Sequence, residues 1–280
     1  MGEDAVHSIS RAFRAISVAM QVGGIGRVIV WSGGSLWIGR ALARSEWHAH
    51  HAIQLCLGLS GQVRFCGEPD RQWSAYGGAF IPSDLGHEFD AVGTVVAHLF
   101  CEPESALGRS LLTRFGRERI VAVPSMEIEE PARRLGMAFD EGAPDEDLEA
   151  MALDLLHGLA GSVPSKAVDS RIARATLFIG QHLAEPLELE DVARHVGLSP
   201  SRFRHLFVAE TGISFRAYVL WTRLQRALQL GFGGASWTDA AHATNFADSA
   251  HLSRTMHRMY GYAPTAIRQE IPAAARPLTA

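Results

Sequence analysis

Apolar residues recur with two different periods along this chain. Up to about residue 101, short apolar runs alternate with turns rich in glycine, whereas after residue 104 apolar positions return every three or four residues. The first pattern is typical of strands, and the second is typical of amphipathic helices. The sequence therefore predicts an α+β chain in which the strands precede most of the helices.

Several short strands are predicted in the first part of the chain. Residues 28–31 and 36–38 flank Gly33-Gly34, which predicts a hairpin with a glycine turn. Further strands are expected at residues 53–59, 62–66, 79–82 and 94–101. Many short strands at this spacing predict a small β-barrel or sandwich. Residues 104–118 and 125–160 would add helices to it, while residues 8–20 could be a short helix or an N-terminal arm.

The second of these helical segments carries an apolar stripe, formed by Leu148, Met151, Leu155, Leu156 and Leu159. The stripe either packs on the strands or forms a dimerisation helix, and both interpretations stay open from sequence. Residues 161–166 resemble a linker, and Ser170 can cap the next helix. We expect an N-terminal domain over residues 1–160, a linker over 161–170 and a C-terminal domain over 171–280.

The C-terminal part contains one layout twice. In the first copy a helical run at 189–195 is broken at Gly197, and Ser199 and Pro200 then open a second helix. In the second copy a run at 237–243 is broken at Asn245, and Asp248 caps a helix that ends at Gly261. A continuous apolar pattern over 218–230 joins the copies. The pattern predicts an all-α domain of two helix-turn-helix motifs connected by a long helix.

The apolar stripe of each second helix predicts which side chains remain free. The residues expected to be buried are Phe203, Leu206 and Phe207 in the first copy and Leu252, Met256, Met259 and Tyr260 in the second. The residues expected to face outward are Ser201, Arg204, His205 and Val208, and Ala250, His251, Arg254 and His257. A guanidinium can bind O6 and N7 of guanine together, so Arg204 and Arg254 are the candidate base readers. The alternative is an ordinary solvated helix face.

Residues 189–212, Arg226-Ala227 and residues 246–264 resemble the DNA-binding domain of AraC-type transcription regulators. The resemblance implies DNA contacts at Ser201, Arg204, His205, Ala250, His251 and Arg254. It also implies that the two recognition helices enter successive major grooves, roughly 34 Å apart. The sequence departs from the family at Asn245, where glycine is usual, at Met256, where phenylalanine is usual, and at Ala240, where a larger aliphatic residue is common.

Charge is distributed unevenly along the chain. The net charge is −4, but residues 171–270 contain eleven arginines and eight acidic residues, a balance of +3 that leaves −7 elsewhere. Net acidity of the whole chain is therefore no argument against nucleic acid binding. A balance of +3 is modest, so few phosphate contacts are expected. Arg202, Arg216, Arg223 and Arg258 are candidates for these contacts or plain surface residues.

A second group of polar residues lies among the predicted strands. His48-Ala49-His50, Gln54 and Gly61, followed by Pro82, Asp84 and His87, resemble the two motifs of cupins, with Gln54 where those proteins place a metal-binding glutamate. Strand parity predicts two faces: one with His48, His50, Gln54 and Cys56, and the other with Ile53, Leu55, Leu57 and Leu59. We predict a small-molecule pocket formed by His48, His50, Gln54, Cys56 and His87. A metal at His48, His50 and His87, or purely structural histidines, are the alternatives.

Cysteine usage and hydropathy suggest a compartment. Cys56, Cys66 and Cys101 lack metal-finger spacing, and no apolar run approaches the roughly 20 residues that span a bilayer. The N-terminus lacks a basic region followed by an apolar one. We expect a cytoplasmic protein with reduced thiols and no membrane role. A redox-sensing Cys56–Cys66 pair on neighbouring strands is an alternative to simple burial.

These patterns together predict a transcription regulator with an N-terminal cupin-like sensing and dimerising domain and a C-terminal DNA-binding domain. The expected partners are double-stranded DNA, a small-molecule effector, RNA polymerase and a second copy of the chain. No cofactor and no catalysis are expected, and the resemblance favours activation. The alternatives are a metal-dependent cupin enzyme fused to a DNA-binding domain, and a regulator whose barrel only dimerises.

Overall fold

The computed structural model describes residues 23–162 and 167–269. The predicted helix or arm at residues 8–20 lies outside the described residues, as do residues 163–166 of the predicted linker. Within the described part of the chain, no helix combines the length and apolar character needed to cross a bilayer.

Two sheets form the N-terminal part of the protein. The strands are β1 (Gly24–Trp31), β2 (Gly34–Ala41), β3 (Ile53–Gly58), β4 (Val63–Gly67), β5 (Trp73–Tyr76), β6 (Gly78–Ile81), β7 (His87–Asp90), β8 (Val95–Cys101), β9 (Val121–Ala122) and β10 (Ile267–Gln269). The larger sheet has the order β10-β1-β2-β8-β3-β6-β9, and the smaller has the order β5-β4-β7. The predicted hairpin is present as β1 and β2, with Trp31 opposite Gly34. Its turn is Ser32-Gly33, one residue earlier than expected.

Of the predicted barrel or sandwich, a closed barrel is not formed by the described strands. The larger sheet ends on β10 and β9, which do not pair with each other, and the strands of the smaller sheet pair only among themselves. The described strands therefore form two open sheets. An isolated bridge between His48 and His87 connects the segment before β3 to the smaller sheet.

The sequence patterns missed several strands, and β10 is the most informative of them. It lies near the end of the described chain, yet it pairs in parallel with β1, with Gly24 opposite Ile267. Without it, the edge of β1 would present unpaired backbone N–H and C=O groups. The last described segment therefore completes the N-terminal sheet.

Three helices pack on the N-terminal sheets: α1 (Ala106–Phe115), α2 (Ser125–Asp140) and α3 (Asp145–Ala160). The predicted helical segment at 125–160 divides into α2 and α3 around Gly142, which has a left-handed φ of 75°. The apolar stripe lies on α3, where its four leucines are buried against the larger sheet, with Met151 half-buried beside them. Of the two interpretations of this stripe, packing within the chain is therefore observed.

The C-terminal helices are α4 (Ser170–Gln181), α5 (Leu189–His195), α6 (Pro200–Thr211), α7 (Phe215–Phe232), α8 (Trp237–Ala243) and α9 (Ser249–Tyr260). Asp169 caps α4 by accepting the backbone N–H of Arg171, so the expectation of a Ser170 cap is wrong by one residue. The carboxylate satisfies an N–H group that lacks a partner in the first helical turn.

The two helix-turn-helix motifs are packed differently. The first motif, α5 and α6, shares an apolar core with α4 and the start of α7. The second motif, α8 and α9, shares a core with the rest of α7, and this core also includes Ala52 and Phe100 from the N-terminal part. The second motif is therefore docked directly on the larger sheet.

Candidate nucleic-acid interface and ligand cavity

The turn of the first motif has the predicted backbone conformation. Gly197 has a φ of 73°, in the left-handed region that glycine adopts without steric cost. Ser199 then accepts the backbone N–H of Arg202, and Pro200 occupies the first helical position of α6. These local interactions fix the direction in which α6 leaves the turn.

The second motif uses a different residue for the same turn. Asn245 has a φ of 57°, which asparagine tolerates better than most residues. Asp248 accepts the backbone N–H of His251 at 2.6 Å and begins α9. The two other departures from the family pattern, Ala240 and Met256, are both fully buried in the core of this motif. The departures therefore change its packing and leave its layout intact.

The free face of α6 matches the prediction. Phe203 and Phe207 are fully buried. Ser201, Arg204, His205 and Val208 are exposed as predicted, while Leu206 is half-buried where full burial was expected. The His205 ring is hydrogen-bonded through Nδ1 to the carbonyl oxygen of Ser201 at 2.8 Å. This contact orients the imidazole along its own helix and leaves Nε2 for other partners.

The free face of α9 is narrower than predicted. Ala250 and Arg254 are exposed, but His251 is half-buried with its ring edge-on to Phe246 at 5.1 Å. His257 is half-buried too, and its Nε2 lies 3.5 Å from a carboxylate oxygen of Glu46. His257 therefore lies beside the N-terminal part, with its side chain still partly exposed. Met259 is half-buried where full burial was expected.

The guanidinium groups of the candidate base readers Arg204 and Arg254 form no ion pair with the described residues. Within residues 23–162 and 167–269, neither Arg204 nor Arg254 has a carboxylate within ion-pair distance. Arg223 differs, because its guanidinium donates to the carbonyl oxygens of Leu183 (3.2 Å) and Glu185 (2.7 Å). These two hydrogen bonds connect α7 to the segment after α4, so Arg223 has a structural role.

Three buried histidines lie together between the two sheets. The ring centroids of His48 and His87 are 4.2 Å apart, and those of His50 and His87 are 5.2 Å apart. Burial, with the neighbouring imidazole of His50, lowers the pKa of His48 to about 3. Burial likewise lowers the pKa values of His50 and His87. The three rings are therefore neutral near pH 7.

Gln54 connects this group to a fourth histidine that the sequence motifs missed. Its side-chain amide lies 2.9 Å from His50 Nε2 and 2.8 Å from His98 Nδ1. Burial lowers the pKa of His98 to about 3, so this ring is neutral as well. The pairing of β3 with β8 brings His98 to this face, because His98 on β8 is directly opposite Cys56 on β3. Sequence motifs alone do not specify that register.

Cys56 does not belong to the polar site. It shares the predicted face with Gln54 but lies in an apolar cluster with Ala79 and Val96. Burial raises the pKa of its thiol well above the ordinary value. Cys66 lies on β4 of the other sheet, so the alternative of a pair on neighbouring strands is wrong. All three cysteines are free and buried.

A cavity of about 80 Å³ adjoins the histidines. Two of the predicted ligand-binding residues, His48 and Gln54, line the cavity. His98, which was not predicted, lines it too. Most of the wall is apolar and comes from both parts of the chain. The aromatic residues of the wall are Trp37, Phe89, Phe100, Tyr260 and Tyr262.

Residues from the C-terminal part of the chain form one wall of this cavity. Tyr260, the last residue of α9, stacks on Trp37 at 4.8 Å between ring centroids and on His50 at 5.5 Å. The Tyr262 hydroxyl donates to the carbonyl oxygen of Ala43 at 2.7 Å. Gly261 lies so close to His48 that an added Cβ would be 3.0 Å from its Nδ1. The second motif therefore contacts both the cavity and the histidine group.

A charged cluster holds the two parts of the chain together at a second place. The His51 ring lies 3.0 Å from Asp84 and 3.4 Å from Glu104. Burial opposes its protonation, but these two carboxylates outweigh burial and raise the pKa of His51 to about 9. Tyr218 and Trp221 of α7 meet this imidazole edge-on.

Comparison with known proteins agrees with the geometry. The helix-turn-helix domain family matches residues 192–270. The chain is 37% identical over 105 residues to the regulatory protein PocR of Salmonella typhimurium, which covers 37% of this chain and 34% of PocR. It is 32% identical over 103 residues to the arabinose operon regulatory protein of Escherichia coli, covering 36% and 35%. The match thus spans about a third of the length of these relatives.

The similarity of the whole fold extends further. The crystal structure of ToxT from Vibrio cholerae superposes with a TM-score of 0.55 at 10% sequence identity, covering 83% of this chain and 95% of ToxT. The apo form of a ToxT variant superposes with a TM-score of 0.58 at 8% identity. This likeness concerns the fold, and it includes both the sheet-rich and the helical parts.

Proposed function

We propose, from the premise that the C-terminal third of this chain is an AraC-family helix-turn-helix domain, that the protein is a sequence-specific transcription regulator controlled by a small molecule. The observation that carries this proposal is the position of α9. One end of this candidate recognition helix closes the cavity through Tyr260, while Arg254 on its other face is exposed. One element therefore serves the ligand site and the DNA site.

DNA recognition is assigned to the free faces of α6 and α9. Ser201, Arg204 and His205 would contact one major groove, and Ala250, His251 and Arg254 the next. Arg204 and Arg254 would read guanine, since their guanidinium groups are exposed and unpaired among the described residues. The half-buried position of His251 limits it to a supporting contact.

The effector is proposed to be a neutral, largely apolar molecule with a ring system. Apolar residues supply most of the wall, aromatic rings among them, and the polar groups available include the amide of Gln54 and neutral imidazoles. The lining arginines are engaged elsewhere: Arg27 pairs with Asp145, and Arg40 donates to the carbonyl oxygen of Gly93. ToxT, whose fold this chain shares, has been solved with an unsaturated fatty acid bound. Acidic ligands of that kind would find no free cation in the described lining here.

The proposed mechanism is a two-state linkage. An effector in the cavity contacts the larger sheet and Tyr260 together, so its affinity differs between docked and undocked arrangements of the second motif. By reciprocity, DNA and effector then alter each other's affinity by the same factor. Activation of transcription through contact with RNA polymerase, a homodimeric state and a cytoplasmic location complete the proposal.

Two alternatives remain from other classes. A metal-dependent enzyme fused to a DNA-binding domain would show turnover of a small substrate and a bound metal that is lost in His48→Ala or His87→Ala. A regulator whose N-terminal part only dimerises would not need a cavity. The wall that α9 contributes favours the effector-controlled regulator over both.

Selection of bound sequences from a random DNA pool tests the DNA-binding function on the full chain. We expect a defined asymmetric site. Arg204→Ala and Arg254→Ala should each weaken binding to it by roughly 1–3 kcal/mol and relax one base position. Arg194→Ala is the matched control, because Arg194 is exposed on α5 and paired with Asp191. Enrichment of no sequence, or unchanged binding by both recognition-helix variants, would refute the assignment.

A further inference from the structure

We propose that His205 selects a base with an exocyclic amino group, either adenine or cytosine, by accepting a hydrogen bond from that group through Nε2. His205 is one of the residues assigned above to DNA contact, and the chemistry of its ring indicates which base it can read. The inference rests on the proposed DNA-binding function and adds the identity of one base position to it.

A backbone hydrogen bond fixes the tautomer of the His205 ring. Its Nδ1 atom lies 2.8 Å from the carbonyl oxygen of Ser201, one helical turn earlier on α6. A carbonyl oxygen only accepts hydrogen bonds, so Nδ1 must carry the ring proton. In the neutral imidazole, Nε2 then presents a lone pair and no hydrogen. The free nitrogen of this exposed side chain is therefore an acceptor.

The surroundings of His205 supply no acidic partner for a second ring proton. Within residues 23–162 and 167–269, no carboxylate lies within ion-pair distance of this imidazole, whereas His51 and His257 both have such a partner. The neutral ring with its lone pair on Nε2 is thus the form that the described contacts favour.

His205 occupies the same position in the first motif as Arg254 in the second. Each follows the N-cap of its helix by six residues, Ser199 for α6 and Asp248 for α9. The cores support this alignment, because the residues four and eight places after each cap are fully buried. These residues are Phe203 and Phe207 on α6, and Leu252 and Met256 on α9. Both His205 and Arg254 are exposed.

These two equivalent side chains have opposite hydrogen-bonding character. In the major groove guanine presents only acceptors, N7 and O6, while adenine and cytosine each present an amino donor. The guanidinium of Arg254 has only donors and suits guanine, whereas the lone pair of His205 suits an amino group and is repelled by the acceptors of guanine. We therefore expect the two motifs to read different bases at equivalent positions of the DNA site.

Selection of bound sequences by the full chain and its variants at pH 8, where the neutral form of imidazole predominates, tests the assignment. We expect adenine or cytosine at the one position that relaxes in His205→Ala. His205→Glu keeps an acceptor and should keep an amino-bearing base there, whereas His205→Lys offers only donors and should shift the preference to guanine. His157→Ala is the matched control, because this histidine is exposed on α3 of the N-terminal part. It should leave every position unchanged.

Removal of the amino group from the selected base tests the hydrogen bond itself. At the relaxed position, adenine is replaced by unsubstituted purine, or cytosine by 2-pyrimidinone. Binding of the wild-type chain should fall about threefold to tenfold, which is the range for one hydrogen bond. His205→Ala should bind the altered and the unaltered site equally, so any effect of the analogue on the DNA duplex itself is controlled.

Three results would overturn the proposal: guanine or thymine at the relaxed position, no relaxed position in His205→Ala, or an equal loss on amino removal in both proteins. Each of these results still includes a selected DNA sequence. Failure of the proposed DNA-binding function gives no selected sequence at all and would refute both proposals, so the two failures are distinguishable.

Discussion

The pKa values of His51 and Glu102, near the contact between the two parts of the chain, are set by burial and by neighbouring carboxylates. His51 lies between Asp84 and Glu104, and these carboxylates raise its pKa to about 9 despite burial. Glu102 is close to the same group, but burial and the charge of Glu104 raise its pKa to about 7, and His51 offsets only part of this shift. Near neutral pH the cluster therefore contains a charged imidazole and a carboxyl group that is close to its titration midpoint.

Glu102 should make the stability of the protein depend on pH. In the unfolded chain its pKa is near 4.3, so between about pH 4.5 and 7 the folded state holds a proton that the unfolded state has lost. The contribution of the protonated carboxyl is complete below this window and disappears as pH rises through about 7. Glu102→Gln should therefore raise the free energy of unfolding at pH 8, by up to about 2 kcal/mol for a partly exposed group, and leave it nearly unchanged at pH 5.

Denaturant unfolding at the two pH values measures this effect. Glu118→Gln serves as the control, since this glutamate is exposed and lies outside the cluster, and it should change stability little at either pH. Equal stabilisation by Glu102→Gln at pH 5 and pH 8 would contradict the assigned titration.

At the scale of single elements, local patterns predicted structure wherever the interactions themselves are local. Gly197 and Asn245 both adopt the left-handed conformation that the motif turns require. The alternation along β3 correctly put Gln54, which lines the cavity, on the opposite face from Ile53 and Leu55, which belong to the apolar core. The alternation did not predict that Cys56 lies in an apolar cluster. Alternation identifies the face of the sheet on which a side chain lies, but it does not identify the neighbours of that side chain on the face.

The turn of the first motif provides a test at this scale. Gly197→Ala should destabilise the C-terminal domain by about 1–2 kcal/mol, because a φ of 73° is strained for alanine. An added Cβ would meet nothing within 4 Å, so the cost comes from the backbone alone. Gly197→Asn should lose less, since asparagine already occupies the equivalent turn at position 245. Thermal unfolding compares the variants, and equal losses for both would argue against a backbone origin.

At the scale of the whole molecule, prediction from sequence was limited by contacts between distant segments. The two open sheets depend on which strands pair, and β10 joins β1 across more than 240 residues of chain. No periodicity encodes that pairing. The same limit applies to the ligand site, where Tyr260 was predicted only as a core residue of its own helix and is also a wall of the cavity.

Docking of the second motif on the larger sheet should be separable from folding of the motif itself. Trp37 is the suitable position, because it belongs to β2 and meets Tyr260 and Phe232 of the C-terminal domain through its ring. Trp37→Ala removes this contact without changing the motif's own sequence. Docking should weaken by about 1–3 kcal/mol, less than for a fully buried aromatic residue because Trp37 is half-buried.

Hydrogen exchange measures the loss region by region. In Trp37→Ala we expect faster exchange in β10 and at the end of α9, while α5 and α6, whose core is separate, keep their protection. Trp73→Ala is the matched control, since this half-buried tryptophan lies on β5 and contacts Arg44 and Arg64. If β10 kept its protection in Trp37→Ala, the aromatic contact would not hold the domains together. Ligand linkage would then have to act through the His51 cluster instead.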